Sequence, residues 1–177
     1  MQIVTIMKHQ AIATAPEYYH KYIQLAGDNS IVDQIEYHGL ESYLENLEQL
    51  ISIGDKVYAQ GKWSIKQIIQ HLIDTERVYV YRAMRFLRKD KTELPGFDHD
   101  AYAEIANVDH RTVEDLLEEY QLVRMTSHLF FKNLSEEEFL RSGMANGAQI
   151  SILAIAYIVV GHPLHHYNII EEKYLDL

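Results

Sequence analysis

Late in the chain the sequence reads Gly161-His162-Pro163-Leu164-His165-His166. In a helix, residues four apart project from one face a turn apart. His162 and His166 can therefore offer two imidazoles to a single metal ion, with His165 turned away by about 100°. The preceding run, Ile152 to Val160, is apolar at nearly every position, which places this segment inside the molecule. Imidazoles buried together are costly unless each has a partner. A third nitrogen stands upstream in His71-Leu72-Ile73-Asp74-Thr75-Glu76. His71 lies at the margin of its segment's apolar stripe, where an ordinary boundary histidine is the alternative to a ligand. Asp74, three residues on, is placed to accept the second ring N–H of His71, the usual way a ligand histidine is oriented. Glu76 falls near the centre of the stripe and needs an Arg, His, Tyr or metal partner. These two are the candidate catalytic carboxylates, and periodicity does not choose among their roles. Three imidazoles would leave a tetrahedral ion at least one open position, where a bound water or thiol loses its proton near neutrality.

Composition narrows the chemistry further. The chain has 177 residues, ten histidines and no cysteine, which excludes disulfides, thiolate zinc sites, cysteine-ligated iron–sulfur clusters and a cysteine nucleophile. A net charge of −10 argues against nucleic acid as a partner, because phosphate binding draws its affinity from clustered Lys and Arg. Arg82, Arg85, Arg88, Lys89 and Lys91 recur at helical spacing and read as a solvated face and helix end. No G-x-S-x-G, P-loop or G-x-G-x-x-G is present, so serine hydrolase, nucleotide hydrolase and dinucleotide chemistry lose their usual support. The opening MQIVTIMKHQ lacks the apolar core of a secretory signal. The most apolar run, Ile150 to Gly161, falls short of the ~20 residues that span a bilayer. The expectation is a cytoplasmic protein that acts on a small molecule and binds no membrane.

The elements that must position the histidines are helical. An aromatic-rich arm with Pro16, Tyr18, Tyr19 and Tyr22 ends in the loop-like Gly27-Asp28-Asn29-Ser30. Apolar residues from Ile31 to Ile51 recur every three or four positions, which predicts one amphipathic helix to about Ser52, ended near Gly54. Trp63 reads as a staple before a helix that starts at the Ser64/Gln67 capping box and runs to about Arg88. Leu94-Pro95-Gly96-Phe97 predicts a tight turn with Gly96 at positive φ. A short helix follows over about Asp98–Ala106, then a long one from Thr112 to about Leu134, then one or two turns from Ser135/Glu138. A loop at Gly143 and Gly147 leads to the final helix, about Ser151 to Tyr174, apolar on nearly every face and hence central. Alternation bounded by hairpin turns is absent, and the sum is an all-α bundle with four main helices. His9, His20, His38, His99, His110 and His128 are scattered and read as surface or partly buried, while Tyr167 and Asn168 are either pocket wall or plain packing.

Gly61-Lys62-Trp63-Ser64-Ile65-Lys66, His71 to Arg77 and Tyr81-Arg82 resemble the DinB-like superfamily of small metalloproteins. So do Leu94 to Asp98, Ala145-Asn146-Gly147, Ala156-Tyr157-Ile158 and the Gly161–His166 motif, in the same order from about Ser30 onward. The resemblance implies an all-α, up-down-down-up four-helix bundle over residues 31–177 behind an N-terminal arm of residues 1–30, commonly as a homodimer. It also implies a divalent ion held by His71, His162 and His166, the same three that helical spacing brings forward; three imidazoles suit zinc, nickel, copper or iron, with zinc or nickel the first expectation. Relatives include transferases and isomerases that use a low-molecular-weight thiol, bacillithiol or mycothiol, and proteins carrying only a metal-dependent hydrolase label. The expected function is thus a metal-dependent enzyme that activates a small thiol for transfer to an electrophile. The alternatives are a hydrolase with metal-activated water and a non-catalytic dimeric stress or regulatory protein with a vestigial site. One position departs from the pattern: the residue after His162, commonly acidic, is Pro163, which removes the helical hydrogen bond to Val159 and bends the axis between two ligands.

Overall fold

The computed structural model describes residues 9–27 and 29–177. The opening stretch Met1–Lys8, and Asp28 of the expected Gly27–Ser30 loop, lie outside the described residues. After two 3-10 turns, His9–Ala11 and Glu17–Tyr19, helix α1 (His20–Leu25) presses Ile23 into the core. The single helix expected over Ile31 to Ser52 is instead three pieces, α2 (Ile31–Gln34), α3 (Glu41–Glu45) and α4 (Leu47–Ile53). The apolar spacing marks the buried residues Ile31, Ile35, Leu40, Tyr43 and Leu50, but it does not register the break. Gly39 takes a φ of +86°, and a Cβ there would lie 2.7 Å from the Val160 carbonyl oxygen and 2.8 Å from Pro163 Cγ. The chain turns at this glycine because it must lie directly on the last helix, a long-range contact that local periodicity cannot encode.

Helix α5 (Ile65–Leu87) starts at the complete Ser64/Gln67 capping box, and α6 (His99–Ile105) at Asp98. Between them, Leu94 pairs with Ala145, and Gly96 does not take the positive φ expected of a type II turn. Space is what requires glycine there, since a Cβ would stand 2.1 Å from Asn146 Oδ1. Helices α7 (Val113–Phe131) and α8 (Glu136–Phe139) begin at the Thr112 and Ser135 boxes. Where a loop was expected, β1 (Ser142–Ala145) and β2 (Ala148–Ser151) form an antiparallel hairpin. Asn146 and Gly147 make its turn with φ of 53° and 73°, the Asn-Gly signature of a type I′ turn. The four-residue strands are too short for their alternation to stand out. Helix α9 (Ile152–Lys173) starts at Ser151 and is buried on every side from Ile152 to Val160.

The α2–α4 segment, α5, α7 and α9 form a four-helix bundle whose interior holds two apolar clusters. One gathers the first half of α9 with α1 and the end of α5, from Tyr79 to Leu87. The other gathers the end of α9 with the start of α5, the start of α7, and Leu40, Tyr43 and Leu50. Between them runs a buried polar layer: His71, Thr75 and Glu76 from α5, Arg124 and Ser127 from α7, and His162 from α9. No helix among the described residues is long and apolar enough to cross a membrane.

Candidate metal centre

The layer holds the three sequence-selected histidines together. His162 Nε2 lies 3.2 Å from His71 Nε2 and 3.0 Å from His166 Nε2, and all three ligand atoms fall within 4.8 Å of one another. A tetrahedral ion bound at ~2.0–2.1 Å would hold its nitrogens roughly 3.3 Å apart, so the spacing fits one ion. Helix α9 supplies its pair by the i, i+4 rule, and α5 brings His71 across the α5–α9 contact.

Hydrogen bonding decides which nitrogen of His162 faces the cluster. Thr75 Oγ1 is 2.7 Å from the His71 carbonyl and 3.1 Å from that of Leu72, so its single hydrogen goes to the backbone. Its remaining lone pair faces His162 Nδ1 at 3.4 Å, which must then carry the hydrogen. The Nε2 lone pair is left pointing at the other two imidazoles, the tautomer a ligand requires. Burial, reinforced by the charge of His99, lowers the His71 pKa to about 4. Burial and the neighbouring imidazoles hold His162 and His166 well below the ordinary histidine value. All three are neutral at pH 7, with lone pairs free to coordinate.

The proposed carboxylates go elsewhere. Asp74 is half-buried and accepts from Gln70 Nε2 at 3.0 Å. Glu76 accepts from Arg124 Nε at 3.1 Å on both oxygens and from Nη2 at 2.9 Å. Arg124 also donates to Tyr120, to the His38 carbonyl and to the Val159 carbonyl, the last at 2.9 Å. Val159 is the residue whose helical partner Pro163 cannot supply, so the buried arginine replaces the hydrogen bond that proline removes. The Pro163 carbonyl in turn accepts from Tyr43 Oη at 3.0 Å. Glu76, Arg124 and Pro163 thus brace α5, α7 and α9 behind the histidines.

In front of them opens a cavity of about 220 Å³, and none of the described residues lining it is a carboxylate. Trp63 is one wall, its ring centroid 4.8 Å from His71 and nearly parallel to His166 at 6.2 Å, rather than a remote staple. Tyr22 roofs the site, 4.9 Å from His162 and 5.2 Å from His165. It reaches there because Gly161 lets α1 approach; a Cβ on Gly161 would stand 1.8 Å from the Tyr22 carbonyl oxygen. Tyr79 lies 6.3 Å from His162, its phenol pushed well above the ordinary value by burial and by Tyr19. His99 lies at the mouth, 5.7 Å from His71. Arg82, expected on a solvated face, is buried and lines the cavity. A signal for it existed, since eleven residues of helix return it to within about 20° of His71. Tyr22 had no local signal, because its approach depends on a residue 139 positions away. Tyr167 packs on Tyr43 in the second apolar cluster, and Asn168 is exposed.

A family model for the DinB superfamily matches residues 34–170. The fold is also similar to the solved structure of YfiT from Bacillus subtilis, described as a probable metal-dependent hydrolase with an unusual four-helix bundle topology. That match has a TM-score of 0.62 at 21% identity and covers 91% of this chain and 88% of YfiT. No curated protein matches the sequence.

Proposed function

This chain belongs to the DinB superfamily, and on that premise we propose that it is a metal-dependent transferase that activates a small thiol against an electrophilic substrate. The observation that carries the metal is the convergence of three neutral imidazoles on one point, His71 and His162 buried and His166 half-buried. They would hold a divalent ion such as zinc or nickel, with an open side toward the cavity. When bound, such an ion supplies a positive charge that lowers the proton affinity of a thiol or water in its open position.

The chain's own groups favour the thiol. A water nucleophile usually needs a neighbouring carboxylate to take its proton, whereas Asp74 faces away and Glu76 is engaged with Arg124. A thiol, with an ordinary pKa near 8.5, is far easier to deprotonate and needs less help. Thr75 fixes the His162 tautomer, Tyr79 keeps its proton and can donate a hydrogen bond, and Trp63 and Tyr22 wall the site with aromatic rings. Hydrolysis remains the second reading, favoured by the likeness to YfiT, a probable metal-dependent hydrolase. The reaction is intracellular chemistry on a small molecule, carried out by a homodimer in the cytoplasm.

Metal content after reloading with zinc or nickel, by elemental analysis and calorimetry, tests the centre. About one ion per chain is expected, lost on His166→Ala; unchanged affinity in that variant would sink the three-histidine site, and the absence of any bound ion would favour a vestigial one. Incubating the loaded protein with electrophiles, with and without a low-molecular-weight thiol, then separates the two reactions. Turnover without thiol would assign hydrolysis.

A further inference from the structure

Arg82 is 5% exposed, yet it has no carboxylate partner among the described residues. Its one hydrogen bond there runs from Nη2 to the Pro95 carbonyl at 2.9 Å. The guanidinium carbon also lies 5.8 Å from the centre of the Phe97 ring. A guanidinium has five N–H donors in a planar fork, and those that the Pro95 carbonyl does not take are open to the cavity. The side chain faces the same cavity as the three histidines. None of the described residues lining the cavity is acidic, so none of them balances its charge.

We propose that Arg82 anchors an anion subsite in this cavity, and that the molecule handled there carries a carboxylate or phosphate group. The fork geometry of Arg suits both anions, since each presents two oxygens to parallel N–H donors. His71 and Arg82 stand eleven residues apart on α5, on the order of 16 Å along its axis. The arginine side chain leans back toward the helix start and shortens that gap. Between the two ends the walls are aromatic: Tyr79, Tyr19 and Phe97. The fitting molecule therefore has an anionic end at Arg82, a flat or apolar middle, and its reacting group at the histidines. This last placement rests on the metal-dependent reading above, whereas the anion subsite does not.

Trp63 is the chain's single tryptophan and forms a wall of the cavity, so its fluorescence reports occupancy without an activity assay. The chelator-treated, metal-free protein is titrated at pH 8 with phenylacetate, phenyl phosphate and neutral phenylacetamide. At least one acid should bind saturably and tenfold or more tighter than the amide, and the stronger acid identifies the anion class. Arg82→Gln should erase the preference. Should that variant fail to fold, Arg82→Lys, which keeps the charge without the fork, must weaken the acid and leave the amide unchanged. Acids that bind no tighter than the amide, or not at all, overturn the subsite, as does a folded Arg82→Gln that keeps the preference. Repeating the titration in His166→Ala separates the two ideas: acid binding that survives there stands whether or not the three histidines hold a metal.

Discussion

Arg124 and Arg82 are both buried, at 1% and 5% exposure, on two helices that pack together. Arg124 spends its donors on Glu76, on Tyr120 and on the carbonyls of His38 and Val159, every one supplied by the chain. Arg82 holds the Pro95 carbonyl and otherwise faces a cavity. The same contrast divides the polar layer. On the Glu76–Arg124 side each charge has its counter-charge. On the histidine side three imidazole nitrogens meet one another within 4.8 Å, an arrangement that a single cation would satisfy. A buried polar group that the fold itself satisfies is bracing, and one left wanting is a place for something else to bind.

The contrast can be broken most forcefully at Arg124. Arg124→Met would strand the buried Glu76 carboxylate and leave the Val159 and His38 carbonyls unpaired, at a cost of about 3–5 kcal/mol in urea unfolding. Replacing both partners, Glu76→Leu with Arg124→Met, should recover only part of that loss. A buried pair exchanged for apolar residues is often neutral, but here Pro163 has released a carbonyl that Arg124 alone among the described residues reaches. A double variant as stable as the parent would mean that the brace is an ion pair and nothing more.

Acid tests the histidine side. Folding lowers the His71 pKa to about 4, chiefly through burial and then through His99. A histidine whose pKa falls on folding contributes its full stability above the unfolded value near 6.5 and loses it as pH falls toward 4. The metal-free protein should therefore lose about 3 kcal/mol from this residue across that window. His162 and His166 act in the same direction. At pH 7, zinc at a hundred times its dissociation constant should add about 2.7 kcal/mol. A urea midpoint flat from pH 7 to pH 4 would show that the histidines are not buried as neutral groups.

Much of this was legible in the residues themselves. The capping boxes at Ser64, Thr112 and Ser135 set three helix starts, and i, i+4 spacing on a helix apolar from Ile152 to Val160 singled out His162 and His166. What local pattern could not carry were the approaches between distant segments. Gly39 breaks the first helix to sit on Pro163, and Gly161 admits Tyr22 to the histidines. Nor could it separate the two arginines, because a helix face predicts burial and not whether a partner waits there. Glu76 was recognisable as a carboxylate in need of one, and Arg124, 48 residues away, answers it.

The two glycines extend the comparison, since one admits backbone on the braced side and the other on the open side. Gly161→Ala would drive a Cβ into the Tyr22 carbonyl, and overpacking of this kind costs about 2 kcal/mol. Zinc affinity should stay unchanged, because α1 gives no nitrogen to the cluster. A fall in affinity as large as the fall in stability would make Tyr22 part of the metal centre and not simply its roof.

The smallest effect is the sharpest test of how the open side is held ready. Thr75 spends its hydrogen on the His71 carbonyl and turns a lone pair toward His162 Nδ1 at 3.4 Å. Thr75→Val keeps the shape and the β-branch but removes that acceptor, so the Nδ1 hydrogen loses its partner and the tautomer its bias. Groups that orient a ligand histidine typically contribute tenfold or more to metal affinity, and a loss near the lower limit, about 1.4 kcal/mol, is expected here because the contact is long. Thr75→Ser, which restores the oxygen, should regain the affinity. Calorimetry with zinc on the three proteins decides the matter. Valine and serine variants that bind equally would mean that burial alone orients His162, and the open side would then be shaped by packing, as the braced side is by charge.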